Sequence, residues 1–411
     1  MARFTRKQFL ATAARWGLGA AAFGPWLPAS AAGAGRRAHS IPPETAMRKI
    51  EDIVIYRDEH YYSCFPSVVH LPDGQLLAAF RRAPNRLQYG GVGNSHVDPN
   101  SYLVLVRSRD GRRWSSEPEL ICAHPLGGSQ DPCLYLLADG TLLCASYLWM
   151  LMPQGSDLGG AYRLGSSGLD YAFVGGYLVR SSDHGRTWSP PYYPHVGMEW
   201  QPSLPGFPLA PYNRGGMLQL GSGRLLFAVA RGVSEERGTT QEHLIASDDQ
   251  GRTWQYQGVI AQDPKVVFNE AQLYETPSGD VVCFMRTANC DDHTALARSH
   301  DGGRTWEPWQ DTGIIGHPHH LLRLPDGRVW LVYGYRHEPF GIRGRVLDPE
   351  CTRLDAPEVV LRTDGGGGDI GYPWSCLLPG GKVLTAYYFH LAAEGGAATR
   401  FIAGTILEPA G

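Results

Sequence analysis

Apolar positions along this chain recur as short paired runs. "LPDGQLLAAF", "LADGTLLCAS", "LGSGRLLFAV", "TPSGDVVCFM", "LPDGRVWLVY" and "LPGGKVLTAY" each close one apolar run, pass through a polar turn and open a second. Runs this short, bounded by Gly, Pro, Asp and Ser, read as strands, and each pair reads as a β-hairpin. The turn glycines are Gly74, Gly140, Gly223, Gly279, Gly327 and Gly381. They are separated by roughly 50–80 residues, too long for a hairpin alone and suited to a four-stranded sheet repeated along the chain. A closed ring of small antiparallel sheets leaves no long edge strand exposed. The expected fold is therefore all-β: a six-bladed β-propeller of four-stranded antiparallel sheets over residues 48–411. The strand-like ends "DIVIYR" and "TRFIAGTIL" fall outside the six hairpins and are expected to pair in one blade, closing the ring.

A second pattern follows the first hairpin in four of the units. "SRDGRRW" starts at Ser108, "SSDHGRTW" at Ser181, "SDDQGRTW" at Ser247 and "SHDGGRTW" at Ser299. A short acidic side chain that accepts backbone N–H bonds, followed by Gly, is turn chemistry. These turns are expected to join the third and fourth strands of their blades, with the Trp packed on a neighbouring strand, away from any reaction.

Composition narrows the function. A formal net charge of −3, with 19% charged residues, argues against a nucleic-acid surface or a basic membrane-binding face. The first 31 residues, "MARFTRKQFLATAARWGLGAAAFGPWLPASA", carry a basic start, a modest apolar stretch and an Ala-Ser-Ala end. They read as an export signal of twin-arginine type, with Lys7 in place of the second arginine, followed by a linker over residues 32–47. The apolar stretch is shorter than the roughly 20 residues of a spanning helix. A periplasmic or secreted protein without stable membrane insertion is expected. Cys64, Cys133, Cys144, Cys283 and Cys376 sit in apolar strand-like runs without C-x-x-C spacing, so buried free thiols are expected, and neither a metal nor a cofactor.

Counting from each turn glycine picks out the face opposite the turns. Nine residues before lie Phe65, Asp131, Arg214, Glu270, Pro318 and Tyr372; seven after lie Arg81, Tyr147, Ala230, Arg286, Gly334 and Tyr388, with Arg82, Arg231 and Arg336 just beyond. Strand ends in a core are ordinarily apolar. Acids, arginines and tyrosines converging on one depression mark a candidate site. "GHPHHLLRL" adds His317, His319 and His320. The Gly-rich segment Tyr147–Phe173 is expected to form a loop over the cleft, with Trp149 and Tyr162 available for stacking.

With its repeated Asp turns, six units and "NEAQLYETPSGDVVCFMR", the chain resembles the sialidase superfamily over residues 50–408. The resemblance implies a Tyr nucleophile paired with a Glu, at Tyr372 and Glu270, and an acid/base residue from the first blade's loop. "NSHVDPNSYLVLVRS" offers Asp98 or His96 for that role. It further implies arginines gripping a substrate carboxylate: Arg286 matches the second and Arg343 the third. The first is missing, since Cys64-Phe65-Pro66 stands where sialidases read Arg-Ile-Pro. Arg81, Arg82 or Arg336 are candidates to refill that place, and Asp131 and His317 to complete the substrate site. The implied activity is an exo-acting retaining glycoside hydrolase on a glycan or polysaccharide with a terminal acidic sugar. The alternatives are a lyase acting on uronic-acid polymers and a non-catalytic glycan-binding propeller.

Overall fold

In a computed structural model, the described residues are 47–86, 96–153, 155–157, 163–166, 169–196, 210–232, 240–394 and 399–410, all within the compact unit Pro43–Gly411. The export-signal and linker expectations for residues 1–46 lie outside them. No helix among the described residues is long and apolar enough to cross a membrane.

Six antiparallel sheets follow one another along the chain, each with its innermost strand first. The fourth blade is representative: Val267–Glu275, Val281–Ala288, His293–Ser299 and Gln310–Ile315 pair in that order. In the sixth, the innermost strands Gly371–Leu377 and Val383–Phe389 are followed by Phe401–Pro409, against which the N-terminal strand Met47–Tyr56 pairs as the outer strand. The first and last described strands thus lie in one sheet, and opening the ring requires breaking that pairing.

The core lies in the layers between blades. Leu226, Ala228 and Leu244 of the third blade pack on Leu273, Val281 and Met285 of the fourth, all essentially inaccessible. All eight cysteines are free and seven are buried, serving as small apolar fillers.

In the first, third and fourth blades the Asp turns join third to fourth strands, as expected; in the second the turn after Leu169–Ser181 leads only to a single bridge, Leu178↔Tyr192. In each of three of them one Asp oxygen accepts two backbone N–H bonds, from Arg186 and Thr187 on Asp183, Arg252 and Thr253 on Asp249, and Arg304 and Thr305 on Asp301, and the other accepts the Thr hydroxyl. Asp348 accepts N–H bonds from Thr352 and Arg353, giving the fifth blade a related turn that its sequence "LDPECTRL" conceals. An arginine just before the Ser of the motif reaches into the next blade's turn. Arg107 donates to the carbonyls of His184 and Gly185, Arg180 to Gln250, and Arg298 to Glu350. The motif is a clip between blades as well as a turn.

The segment Tyr147–Phe173 differs from the loop expected of it. Leu142–Met152 and Leu169–Ser181 pair from Ser181↔Leu142 to Asp170↔Met152 with one register shift between Phe173 and Gly175, so the second blade extends as a β-arm carrying Trp149 against Phe173. Alternating aromatic and aliphatic positions along both sides sustain the pairing in spite of the glycines. Tyr162 lies outside the described residues.

Burial disfavours the Asp249 carboxylate, yet its bonds to Thr253 and Ser247 outweigh this and hold its pKa down to about 2. Asp301, held by Thr305, is also lowered to about 2. A depressed acid contributes stability above its unfolded pKa and loses it as pH falls through the folded one. The triple variant Asp183→Ala, Asp249→Ala, Asp301→Ala should lose about 1 kcal/mol per turn, additive across separate blades. Calorimetry should show a Tm lower by roughly 5 °C at neutral pH, and a difference from wild type that narrows as pH drops from about 4 towards 2.

Candidate active site

The innermost strand of every blade is interrupted at one place. Phe65, Glu270 and Tyr372, nine residues before their turn glycines, have φ of 57°, 45° and 53°, and each sits at a register shift in its ladder. In the second blade Asp131 falls in the gap between Gly128–Ser129 and Cys133–Leu136, and in the fifth Pro318 follows a cis peptide bond. Next to each break the ladder is tied at equivalent positions: Cys64↔Arg81, Asn269↔Arg286 and Gly371↔Tyr388 pair directly, and Gln130 and His317 donate their N–H groups to Tyr147 and Gly334. A bulge re-aims one side chain without ending the sheet. Here it turns a residue from each blade into the centre.

What converges there is an ion-and-phenol cluster. The Tyr372 hydroxyl donates to Glu270, and Arg286 Nη1 donates to the other Glu270 oxygen at 2.6 Å. Arg286 Nη1 also lies 3.4 Å from the Tyr372 hydroxyl. Both faces of the ring are near cations, with the Arg214 guanidinium 4.4 Å and that of Arg336 5.2 Å from its centroid. Arg214 is fixed by the carbonyls of Pro66 and Tyr372, and Arg336 by that of Ile370. Burial and the adjacent Glu270 charge push the Tyr372 phenol well above its ordinary pKa. Burial disfavours the Glu270 carboxylate, but Arg286 prevails and holds it below the usual range. The resting pair is a protonated phenol against an ionised base.

Two more carboxyls face this centre. Asp131 is 1% exposed, neither oxygen has a hydrogen-bond partner among the described residues, and burial followed by repulsion from Glu270 raises it to about 7. Asp369, which the sequence reading passed over, accepts from Tyr62 and Tyr388 and pairs with Arg400. Burial opposes its charge, but His96, Arg400 and Tyr62 hold it far below the usual carboxylate range. Its signal was weak: one Asp behind a run of four glycines.

The remaining sequence candidates divide. Arg81 is fully buried, donating to Ser129 O and lying near Asp131. His317 is buried beside Arg286 and Arg336, and burial and those charges hold it neutral. His319 and His320 turn to Thr294 and to the Ser375 N–H. Arg82, the next residue along a strand, points the other way, onto the Tyr61 ring and Asp58. Arg343 pairs with Glu358 at 2.7 Å and stacks on Tyr335, so Arg336 and not Arg343 stands beside Tyr372. Asp98 is buried in a two-pronged ion pair with Arg86 and also accepts the Asn100 N–H, while His96 stands at the rim against Phe65. Among the described residues no group of three or more His, Cys, Asp or Glu side chains is arranged to hold a metal ion.

Fold and centre together define an Asp-turn propeller with a Tyr–Glu–Arg cluster on its axis. Residues 160–364 match the BNR repeat-like domain family. A sialidase of Micromonospora viridifaciens is 28% identical over 253 residues, 59% of this chain and 35% of that protein, so the chain spans about a third of its length. A protein from Dyadobacter fermentans DSM 18053, described as of unknown function, is 49% identical, covers 90% of this chain and 100% of its own, and superposes with a TM-score of 0.84. A Hadza microbial sialidase, Hz136, shares the fold at 18% identity, with 86% and 68% of the two chains covered and a TM-score of 0.61. The chain is thus similar to sialidases in its BNR repeat-like stretch and in its propeller fold.

A raised acid keeps a proton when folded that the unfolded chain releases between about pH 4 and 7, so stability falls across that window as pH rises. Asp131→Asn removes that cost. Its Tm should match wild type near pH 4 and exceed it at about pH 8; a lower Tm at the higher pH would show that Arg81 and Arg214 require the anion.

Proposed function

We infer that this chain is an exo-acting, retaining glycoside hydrolase that removes a terminal sugar from a glycan. The observation that carries the reading is the buried Tyr372 hydroxyl bonded to ionised Glu270 within reach of Arg286. A phenol is a poor nucleophile at its free pKa and needs an adjacent base. As the Tyr372 oxygen bonds to the anomeric carbon, its proton passes to Glu270, while a donor at the first blade's rim protonates the leaving oxygen. Water then hydrolyses the glycosyl-tyrosine and configuration is retained, a variant of the usual two-carboxylate plan. Arg286 and Arg336 give the sugar's acidic group two donors on one side of Tyr372. The Phe65 ring, 4.6 Å from that of Tyr372, offers no third. Low-identity sialidase relatives support glycan chemistry, and the sugar itself follows from the experiment. The export signal read in residues 1–31 supports a reaction in the periplasm or outside the cell, where glycans are met.

A second reading, lyase action on uronic-acid polymers, rests on neutral His317 beside Arg286 and Arg336. The arginines would neutralise a uronate, and the imidazole would take the proton next to it.

Incubation with a panel of acidic glycans should release one monosaccharide. Tyr372→Phe should reduce release to background and Glu270→Gln by about 10²–10⁴-fold, each with unchanged circular dichroism. Full activity in both removes the hydrolase assignment, and an unsaturated product absorbing in the ultraviolet selects the lyase.

A further inference from the structure

The rim of the basin holds a second assembly that the Tyr–Glu pair does not use. His96 has a side chain half open to solvent, and its Nε2 lies 2.9 Å from the Tyr62 hydroxyl and 3.1 Å from Asp369 Oδ1. Asp369 in turn accepts from the Tyr62 hydroxyl at 2.8 Å and the Tyr388 hydroxyl at 2.8 Å, and is ion-paired with Arg400, whose Nε lies 2.9 Å away. These contacts fix a tautomer. An ionised carboxylate only accepts, and the Tyr62 hydroxyl proton is already directed at Asp369. Nε2 must therefore carry a hydrogen, and Nδ1 is left without a partner among the described residues. The imidazole packs edge-on to Phe65 with centroids 5.1 Å apart, and Phe65 lies against Tyr372. One aromatic ring separates His96 from the nucleophile.

From this geometry we propose that His96, held by Asp369, is the general acid and base of the reaction, exchanging its proton at Nδ1. The inference rests on the hydrolase reading. In the first step the imidazolium Nδ1–H gives its proton to the glycosidic oxygen as the bond from that oxygen to the anomeric carbon breaks; the Tyr372 oxygen forms the new bond and Glu270 takes the phenolic proton. In the second, neutral Nδ1 takes a proton from water as its oxygen attacks the anomeric carbon, and the departing Tyr372 oxygen recovers its proton from Glu270. Both groups end as they began. Asp369 touches no reacting atom. It is a positioning residue that orients the ring and stabilises the imidazolium, as a buried carboxylate does behind a catalytic histidine. Asp98, the rival in the same segment, is committed to Arg86 and the Asn100 N–H.

The charged and titratable groups facing the dyad are Tyr62 from the first blade, Tyr388 and Arg400 from the sixth and, through Tyr388, Arg336 from the fifth; His390 also faces Asp369. In Asp369→Asn the His96 ring loses its positioning partner, so kcat should fall with KM little changed.

The test compares the glycan that wild type cleaves with a 2,4-dinitrophenyl glycoside of the same sugar, whose leaving group needs no proton. His96→Ala should lose about 10²–10⁴-fold in kcat on the glycan and less than about tenfold on the activated glycoside. Asp369→Asn should show the same contrast more weakly, and Asp369→Glu should recover part of the loss. Tyr372→Phe should abolish both reactions. Equal losses on both substrates in His96→Ala, or none, overturn the dyad while leaving the Tyr372 reading intact. If Tyr372→Phe keeps both activities, or wild type cleaves no glycoside, the hydrolase reading falls and the dyad with it. Should Asp369→Asn fail to fold, the His96→Ala comparison decides alone.

Discussion

The site depends on a backbone constraint, the break repeated in the innermost strand of each blade. At Phe65, Glu270 and Tyr372 the chain enters the left-handed region at residues that are not glycine. Such conformations cost of order 1–3 kcal/mol each and persist only where the surroundings over-determine them. Here each break lies between a register-locked hairpin below and a fixed pairing above, so the strain is carried by the whole blade. Its effect is directional. A residue that would alternate into the inter-blade core is turned instead toward the axis.

Once several such side chains share one small volume, charge governs their states. Glu270 stays ionised because Arg286 is bonded to it, and Asp131 rises because it has no such bond and faces the Glu270 charge. Asp369 is held down by a ring of donors. Three carboxyls in one basin thus take two protonation behaviours, Glu270 and Asp369 held down and Asp131 raised, each set by its neighbours. Environments that push like groups apart in this way are how one fold accommodates both base and acid chemistry.

The opposite face is organised by other physics. The Asp turns satisfy their own backbone donors, and the arginines before them tie each clip to the next blade. Rigidity there lets the strained face hold its geometry, and the last sheet, pairing Met47–Tyr56 with Phe401–Pro409, completes the ring. The turns are thus remote from the chemistry while supporting it.

Much of this was legible in the chain. Hairpin glycines, apolar pairs and Asp turns are local patterns, because turn chemistry and strand alternation act over a few residues; they gave six blades, their order and the paired ends. The same counting placed Glu270, Tyr372, Arg286, Asp131 and Arg214 on one rim. What it could not give is direction and partnership over long separations. Arg82 and Arg81 are adjacent in sequence and face opposite ways across the sheet. Arg336 stands beside Tyr372, while Arg343, expected to grip the substrate, is paired with Glu358. Asp369 meets Tyr62 and His96 from the far end of the chain. Sequence alone determined the repeat and the kinds of residue delivered to the axis. Only the closed ring decided which of them touch, because contacts between blades are fixed by closure and by the bulges, and neither is a property of any local run of residues.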